Sequence, residues 1–299
     1  MKKKVAIIGA GGIAQKAYLP VYAQMQNEFE FIISSRMFEK AEKLREQYNF
    51  YKAVEGIEPL FSEKIEMVMI HSATSSHFEL CEKFLSLGID VFVDKPISEE
   101  YAEVIHLKNL ANEKQVRFMA GFNRRFAPMC EKLKEIKEKS YIAITKNRVN
   151  QTLELKYGLY DLFIHPLDTA LYLLDEEIKT VSSRINEENG QMSQAFLQIE
   201  TQNTLVHVRM NMRAGANTET FAVESVNGSF QIENLQQFSK NQAGKRTIEE
   251  FDDWTPTLEK RGFAPMIRAF LHGENLRQEK TIYSHELIER MIHLHFQNH

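Results

Sequence analysis

The chain has 299 residues, 43% of them hydrophobic and 26% charged, with a formal net charge of −4. That length holds two domains more comfortably than one, and the charge balance gives no reason to expect nucleic acid or an anionic membrane as partner. No apolar run reaches the length of a membrane span, and two cysteines, Cys81 and Cys130, exclude a disulfide framework, so a cytoplasmic address is expected.

The first predicted element is a strand over residues 4–8. It runs into Gly9-Ala10-Gly11-Gly12-Ile13-Ala14, and a helix-compatible segment starts near Gly12. A buried strand, a glycine-rich turn and a helix N-terminus form the arrangement that binds a dinucleotide pyrophosphate. Gly9 allows the tight turn, Gly11 lets the backbone approach the phosphates, and Ala14 is small enough for close helix–strand packing. The helix directs its first N–H groups and positive dipole end at the anion. The next apolar run, 29–33, ends in Ser34-Ser35-Arg36, where an acidic side chain would hold the ribose of NAD. Ser35 and Arg36 instead offer a hydroxyl and a permanently charged donor fork, which suit a 2′-phosphate. NADP is therefore expected ahead of NAD.

Apolar runs at 67–70, 89–93 and 116–120 alternate with helical patterns at 39–47, 78–87 and 100–113. Strand and helix in alternation predict a parallel, doubly wound sheet, a Rossmann domain over 1–121. Such sheets bind ligands beyond the carboxyl ends of their strands, where three polar clusters fall. They are His71-Ser72-Ala73-Thr74-Ser75-Ser76-His77, Asp94-Lys95-Pro96, and Gly121-Phe122-Asn123-Arg124-Arg125-Phe126. Ser72, Ala73, Thr74, His77, Asp94, Lys95, Asn123 and Arg124 thus join Gly9, Gly11, Gly12, Ile13, Ala14, Ser35 and Arg36 as candidate cofactor contacts.

Past residue 140 the period changes. Val206, Val208, Met210 and Met212 alternate with His207, Arg209, Asn211 and Arg213, the mark of a sheet with two chemically different faces. The runs 221–226 and 229–232 flank Asn227-Gly228, a hairpin signal in which both turn residues take positive φ. Helices are predicted at 158–174, 258–272 and 284–297. Residues 122–299 read as a second, α+β domain, with the C-terminal helix able to pack back on the first. His165 precedes Pro166 and is expected at a helix start or kink, because that position avoids α geometry.

Together these residues resemble the Gfo/Idh/MocA oxidoreductases over essentially the whole chain. The likeness rests on 9–14, on His77 after a Ser/Thr-rich strand end, on Asp94-Lys95-Pro96 for the family's E-K-P, and on 121–128. It continues in Asp161-Leu162-Phe163-Ile164-His165-Pro166-Leu167-Asp168, similar to the family's D-x-x-x-H-x-x-D. A subgroup of virulence-factor-like oxidoreductases of undefined substrate is similar in further segments: 11–17, 148–150, Arg213-Ala214-Gly215, Trp254 and 258–263. The resemblance implies an N-terminal Rossmann domain, a C-terminal α+β domain with a large, mostly antiparallel open sheet, and an active site between them. It also implies a homodimer or homotetramer formed through that sheet. Lys95, Asp161 and His165 match the family's catalytic positions. The chain departs from the pattern in having Asp94 for glutamate, a single Gly158 for a glycine cluster, and Ala73-Thr74 where a proline is common.

The chemistry has its own logic. Oxidising a carbinol carbon needs a base for the hydroxyl proton and a group to stabilise charge on the oxygen. His165 is the candidate base (acid in reduction), Asp161 one helical turn earlier its partner, and Lys95 the cation that polarises the oxygen. Asp168 reads as structural. The expected activity is NAD(P)-dependent oxidation or reduction of a sugar, polyol or derivative. Lys95, Arg148, Asn150, Tyr157, His165 and Arg213 are the candidate substrate contacts. No metal is expected, since the histidines show no ligand-like clustering. Two other readings stand beside this one: a redox-assisted glycosidase or lyase that retains its cofactor, and a non-catalytic NADP-sensing regulator. The presence of Lys95 and His165 argues for an enzyme over the sensor, which has no need of proton-transfer groups.

Overall fold

The computed structural model describes residues 2–297. Strands β1 (Lys3–Ile8), β2 (Phe29–Ser35), β3 (Lys52–Glu55), β4 (Met67–Ile70), β5 (Asp90–Val93) and β6 (Phe118–Ala120) form a parallel sheet in the order β3-β2-β1-β4-β5-β6. Val5–Ile7 and Met67–Ile70 are inaccessible to solvent, as expected of strands covered on both faces. The crossovers carry α1 (Leu19–Gln24), entered through a π-helical turn at Ala14–Tyr18, α2 (Phe38–Tyr48), α3 (His77–Ser86) and α4 (Tyr101–Lys114). Strand order reverses at β1, whose neighbours are β2 and β4, so the crevice for a ligand opens at the carboxyl ends of β1 and β4.

A second sheet is built from β7 (Lys139–Val149), β8 (Leu153–Glu154), β9 (Thr180–Glu188), β10 (Gln191–Glu200), β11 (Leu205–Ala214), β12 (Glu219–Ser225), β13 (Gly228–Glu233), β14 (Gln237–Gln242) and β15 (Lys245–Glu250). The order is β15-β14-β13-β12-β7-β11-β10-β8, with β9 also on β10. Only β7 and β11 run parallel among these pairs. The helices and turns that follow β6 in the chain are α5 (Pro128–Glu135), α6 (Leu155–Tyr157), a π-helical turn at Gly158–Phe163, α7 (Ile164–Leu173), α8 (Thr257–Lys260), α9 (Phe263–His272) and α10 (Thr281–Gln297). Helix α7 packs on β7 and β11, over the buried phase Ile142, Ile144, Val206, Val208 and Met210. The opposite phase carries Tyr141, Phe196, His207, Arg209 and Asn211, with the Tyr141 hydroxyl 2.9 Å from His207 Nδ1.

Three local expectations need revision. The β12–β13 hairpin turns one residue earlier than Asn-Gly implies: Ser225 pairs with Gly228, which leaves Val226 and Asn227 as the turn. Gly228, at φ +142°, is required because a Cβ there would lie 2.5 Å from the Asn241 carbonyl oxygen. The helix expected over 258–272 is two helices, α8 and α9, broken at Gly262 with φ +80°. The helix expected from 158 begins as a π-helical turn, and His165 is the second residue of α7. Pro166 lacks an N–H, and the wider turn ahead of it accommodates that loss.

The chain divides into two compact units, Met1–Gly121 with Phe263–Gln278, and Phe122–Gly262 with Glu279–His299. Helix α9 therefore belongs with the Rossmann sheet, where Phe270 meets Phe92 edge-on and its carbonyl accepts from Arg117 at 2.7 Å. The sequence reading keeps this segment in the second domain, since nothing local in 263–272 marks its partner. Among the described residues no helix is long and apolar enough to cross a membrane.

Candidate active site

In the first unit, Gly9 sits at φ +103°, and a Cβ on it would lie 2.6–2.7 Å from the backbone of His71 and Ser72. The fold itself demands this glycine. Gly11 and Gly12 differ: a Cβ on either would meet nothing within 4 Å. Neither has a positive φ, so the chain's own packing gives no reason for their being glycine. The space they leave lies at the start of a helix, where Gln15 N–H closes the first turn on the Gly11 carbonyl at 3.1 Å. First-turn N–H groups have no acceptor within a helix and favour an anion. The turn thus fits a dinucleotide pyrophosphate.

At the end of β2, Ser34 Oγ donates to the Gly56 carbonyl at 2.7 Å, and Ser35 Oγ accepts from Met37 N–H at 3.3 Å. Arg36 is exposed. Beyond β4 and β5 the polar clusters knit into one buried network. His71 Nε2 lies 2.8 Å from the Tyr22 hydroxyl, and its ring stacks on Tyr18 at 3.9 Å. Tyr18 donates to Asp94 Oδ1 at 3.1 Å, and the same oxygen accepts from Lys95 N–H at 2.9 Å. Burial pushes the His71 imidazole down to about 3 and raises the Asp94 carboxyl above its ordinary range, against the pull of Lys95. His77 spans two carbonyls, Pro96 at 2.9 Å and Ser72 at 3.1 Å. Burial lowers its pKa, while those two acceptors oppose the fall. His77 and Asp94, expected as cofactor contacts, are buried and tie the β4 loop to the Lys95 turn. Their job in the fold is to set the main chain from which Lys95 extends.

In the second unit the centre is Arg124. Its Nε and Nη2 hold both oxygens of Glu219 at 2.7 and 3.0 Å, and its Nη1 lies 2.8 Å from His165 Nδ1. A guanidinium has donors and no acceptor, so Nδ1 must accept and the proton of a neutral imidazole sits on Nε2. Arg124, expected to touch cofactor, thus has its donors committed to Glu219 and His165. Glu219 is buried, yet Arg124 and then Lys146 hold its carboxyl below the usual range. Asp161, expected to orient His165, bonds the hydroxyl of Tyr157 and raises that phenol. Asn150 is an exposed positive-φ residue, and Arg213 is exposed with its guanidinium 3.9 Å from Glu188. Asn123 donates to the Arg261 carbonyl at 2.7 Å. Arg125 and Asp168 form a wholly buried bidentate pair at 2.8 and 2.7 Å, with Arg125 also on the Glu279 carbonyl, in keeping with a structural Asp168.

Glu219, Lys146 and Arg261 are absent from the sequence-based site. A signal for two of them existed. Glu219 keeps the buried phase of Phe221 and Val223, and Lys146 that of Ile142 and Ile144. A charge in phase with core side chains needs a partner.

Comparison with known proteins agrees with the fold of both sheets. Residues 3–122 match a family model described as "Oxidoreductase family, NAD-binding Rossmann fold", and residues 128–243 match one described as "YceM-like, C-terminal domain". The YceM protein of Salmonella typhimurium is 30% identical over 90% of this chain and 88% of its own. The myo-inositol 2-dehydrogenase of Thermotoga maritima is 26% identical over 62% of this chain and 60% of its own. The crystal structure of a dehydrogenase (MviM) from Clostridium difficile superposes with a TM-score of 0.92 at 28% identity, covering 98% of this chain and 100% of that one.

Proposed function

Because this chain belongs to the Gfo/Idh/MocA oxidoreductases, we propose that it catalyses NAD(P)-dependent oxidation or reduction of a hydroxylated small molecule, a sugar, polyol or derivative. The observation that carries this reading is the pair Gly11 and Gly12, whose missing side chains the protein's packing does not use. Bound nicotinamide dinucleotide would supply the hydride acceptor, or the donor in reverse. Residues 9–14 hold its pyrophosphate and Ser35 with Arg36 its ribose phosphate, so NADP is preferred. Ser72, Ala73 and Thr74 line the same crevice from the β4 end.

Lys95 and His165 are each assigned to act on the substrate hydroxyl, on the motifs that carry them. With Nδ1 engaged by Arg124, His165 presents Nε2–H and acts as a hydrogen-bond donor to that oxygen. The proton that leaves or joins the oxygen then falls to Lys95, which exchanges the roles expected from sequence. Asp161 holds the hydroxyl of Tyr157, a candidate substrate contact. The half-exposed outer sheet phase, with Phe196, His207 and Arg209, supports self-association as a dimer or tetramer. Light scattering on R209E tests it: a smaller particle is expected, and an unchanged mass contradicts it.

Cofactor titration followed by a sugar and polyol panel tests the main reading. Tight NADPH binding and turnover of at least one polyhydroxylated compound are expected. Arg36→Ala should weaken NADPH far more than NADH; equal small effects would contradict the NADP assignment. Retained cofactor with substrate cleavage and no net change in its redox state would favour the lyase reading instead.

A further inference from the structure

On the helix-covered face of the second sheet, β7 presents Ile142, Ile144, Lys146 and Arg148 in one phase. The first two meet Val223 and Phe221 across β12, and Lys146 stands opposite Glu219. The apolar core thus ends, and charge begins, at the row joined to His165 through Arg124. Arg261 reaches the same place from α8: its carbonyl accepts from Asn123, and the next residue, Gly262, packs against the Asn123 carbonyl oxygen with no room for a Cβ. Burial and then Arg124 disfavour the charge on Arg261, Arg148 adds to them, and Glu219 favours it.

Three cations, Arg124, Lys146 and Arg261, therefore act on the Glu219 carboxylate, with Arg148 acting on Arg261, and Arg124 already holds both carboxylate oxygens. Among the described residues, no hydrogen bond or ion pair engages the guanidinium of Arg148 or of Arg261. Neither is fully exposed, so each gives up hydration for no acceptor within the protein. A structural ion pair has no use for this excess. A bound oxyanion does, since guanidinium forks match carboxylate and phosphate oxygens in geometry as well as charge.

We infer that Arg148 and Arg261 form an anion-binding subsite beside His165, so that the hydroxylated substrate carries a carboxylate or phosphate group. The substrate class narrows from sugars and polyols at large to their acidic derivatives. The link to substrate rests on the oxidoreductase reading; the anion site itself does not.

The test measures binding to the full-length protein by calorimetry, with NADPH saturating so that the glycine turn is filled. The probes are inorganic phosphate, glucose 6-phosphate, gluconate and uncharged glucose. Phosphate and at least one acidic sugar should bind, and R148Q and R261Q should each weaken them about tenfold or more. R148K should recover part of the loss, and K245Q, on the exposed strand β15, should change nothing. Binding of the phosphate ester alone, or of gluconate alone, identifies which oxyanion is read. Losses under about twofold in both glutamine variants, or glucose binding as tightly as the acidic probes, overturn the inference. Arginine-dependent anion binding with no turnover of any acidic compound would leave the subsite standing and count against the oxidoreductase reading. Circular dichroism on each variant separates a folding defect from a lost contact, and the R148K rescue then decides the case.

Discussion

At the scale of single residues, the decisive contact is that between Arg124 and His165. His165, Asp161 and Lys95 stand out in the sequence as candidates because each stands in a short motif. The setting of His165 was not legible there, because Arg124 and Glu219 lie 95 residues apart and pair only after β12 is laid beside β7. Arg124 is a positioning residue: it touches the imidazole and fixes which nitrogen carries the proton. Arg124→Gln should lower kcat by about 10²-fold while cofactor affinity holds. Arg124→Lys, which keeps a charged donor near Nδ1, should recover part of that kcat with KM unchanged. Equal losses in the glutamine and lysine variants would mean that Arg124 only braces the fold.

Among the elements, the parallel strands were plain from sequence because each is a continuous apolar run bounded by glycine or polar residues. β11 and the β12–β13 hairpin were plain from alternation. β3 and β15 were not: β3 is four residues long with two buried, and β15 is exposed throughout, so neither leaves a hydrophobic signature. The turn of the hairpin was misplaced because Gly228 answers to the neighbouring strand rather than to the turn. Helix α7 is held to the segment after β6 by Arg125 and Asp168, both lacking solvent contact. Burial lifts the Asp168 carboxyl, and Arg125 opposes that rise. Removing one member strands the other's charge in the interior, so Asp168→Ala should cost about 3–5 kcal/mol. Urea denaturation would show it, and a change under about 1 kcal/mol would mean that the pair is not the tie described.

For the whole molecule, buried neutral histidines set an acid limit. Burial pushes His285 from an ordinary 6.5 down to about 4, and His71 to about 3. Between 6.5 and about 4 the unfolded chain binds protons that the native state refuses, so each group removes stability as pH falls. Asp94 and Asp168, raised by burial, act in the opposite sense, which makes a difference measurement necessary. The stability gap between the parent and His285→Gln should therefore shrink by about 1.4 kcal/mol per pH unit as pH falls through that window. A gap independent of pH would mean that His285 titrates in the native state. The division into two units was legible at residue 121, where the β–α alternation stops, but not in the return of α9, whose apolar face names no partner. Catalysis that needs both Lys95 and His165 is the central proposal. It is tested most directly by stopped-flow absorbance of reduced nicotinamide in the parent, Lys95→Met and His165→Ala, with cofactor dissociation constants measured alongside. Both variants should keep cofactor affinity within about threefold and lose at least about 10²-fold in the rate of hydride transfer. Turnover at the parent rate in either variant would contradict it.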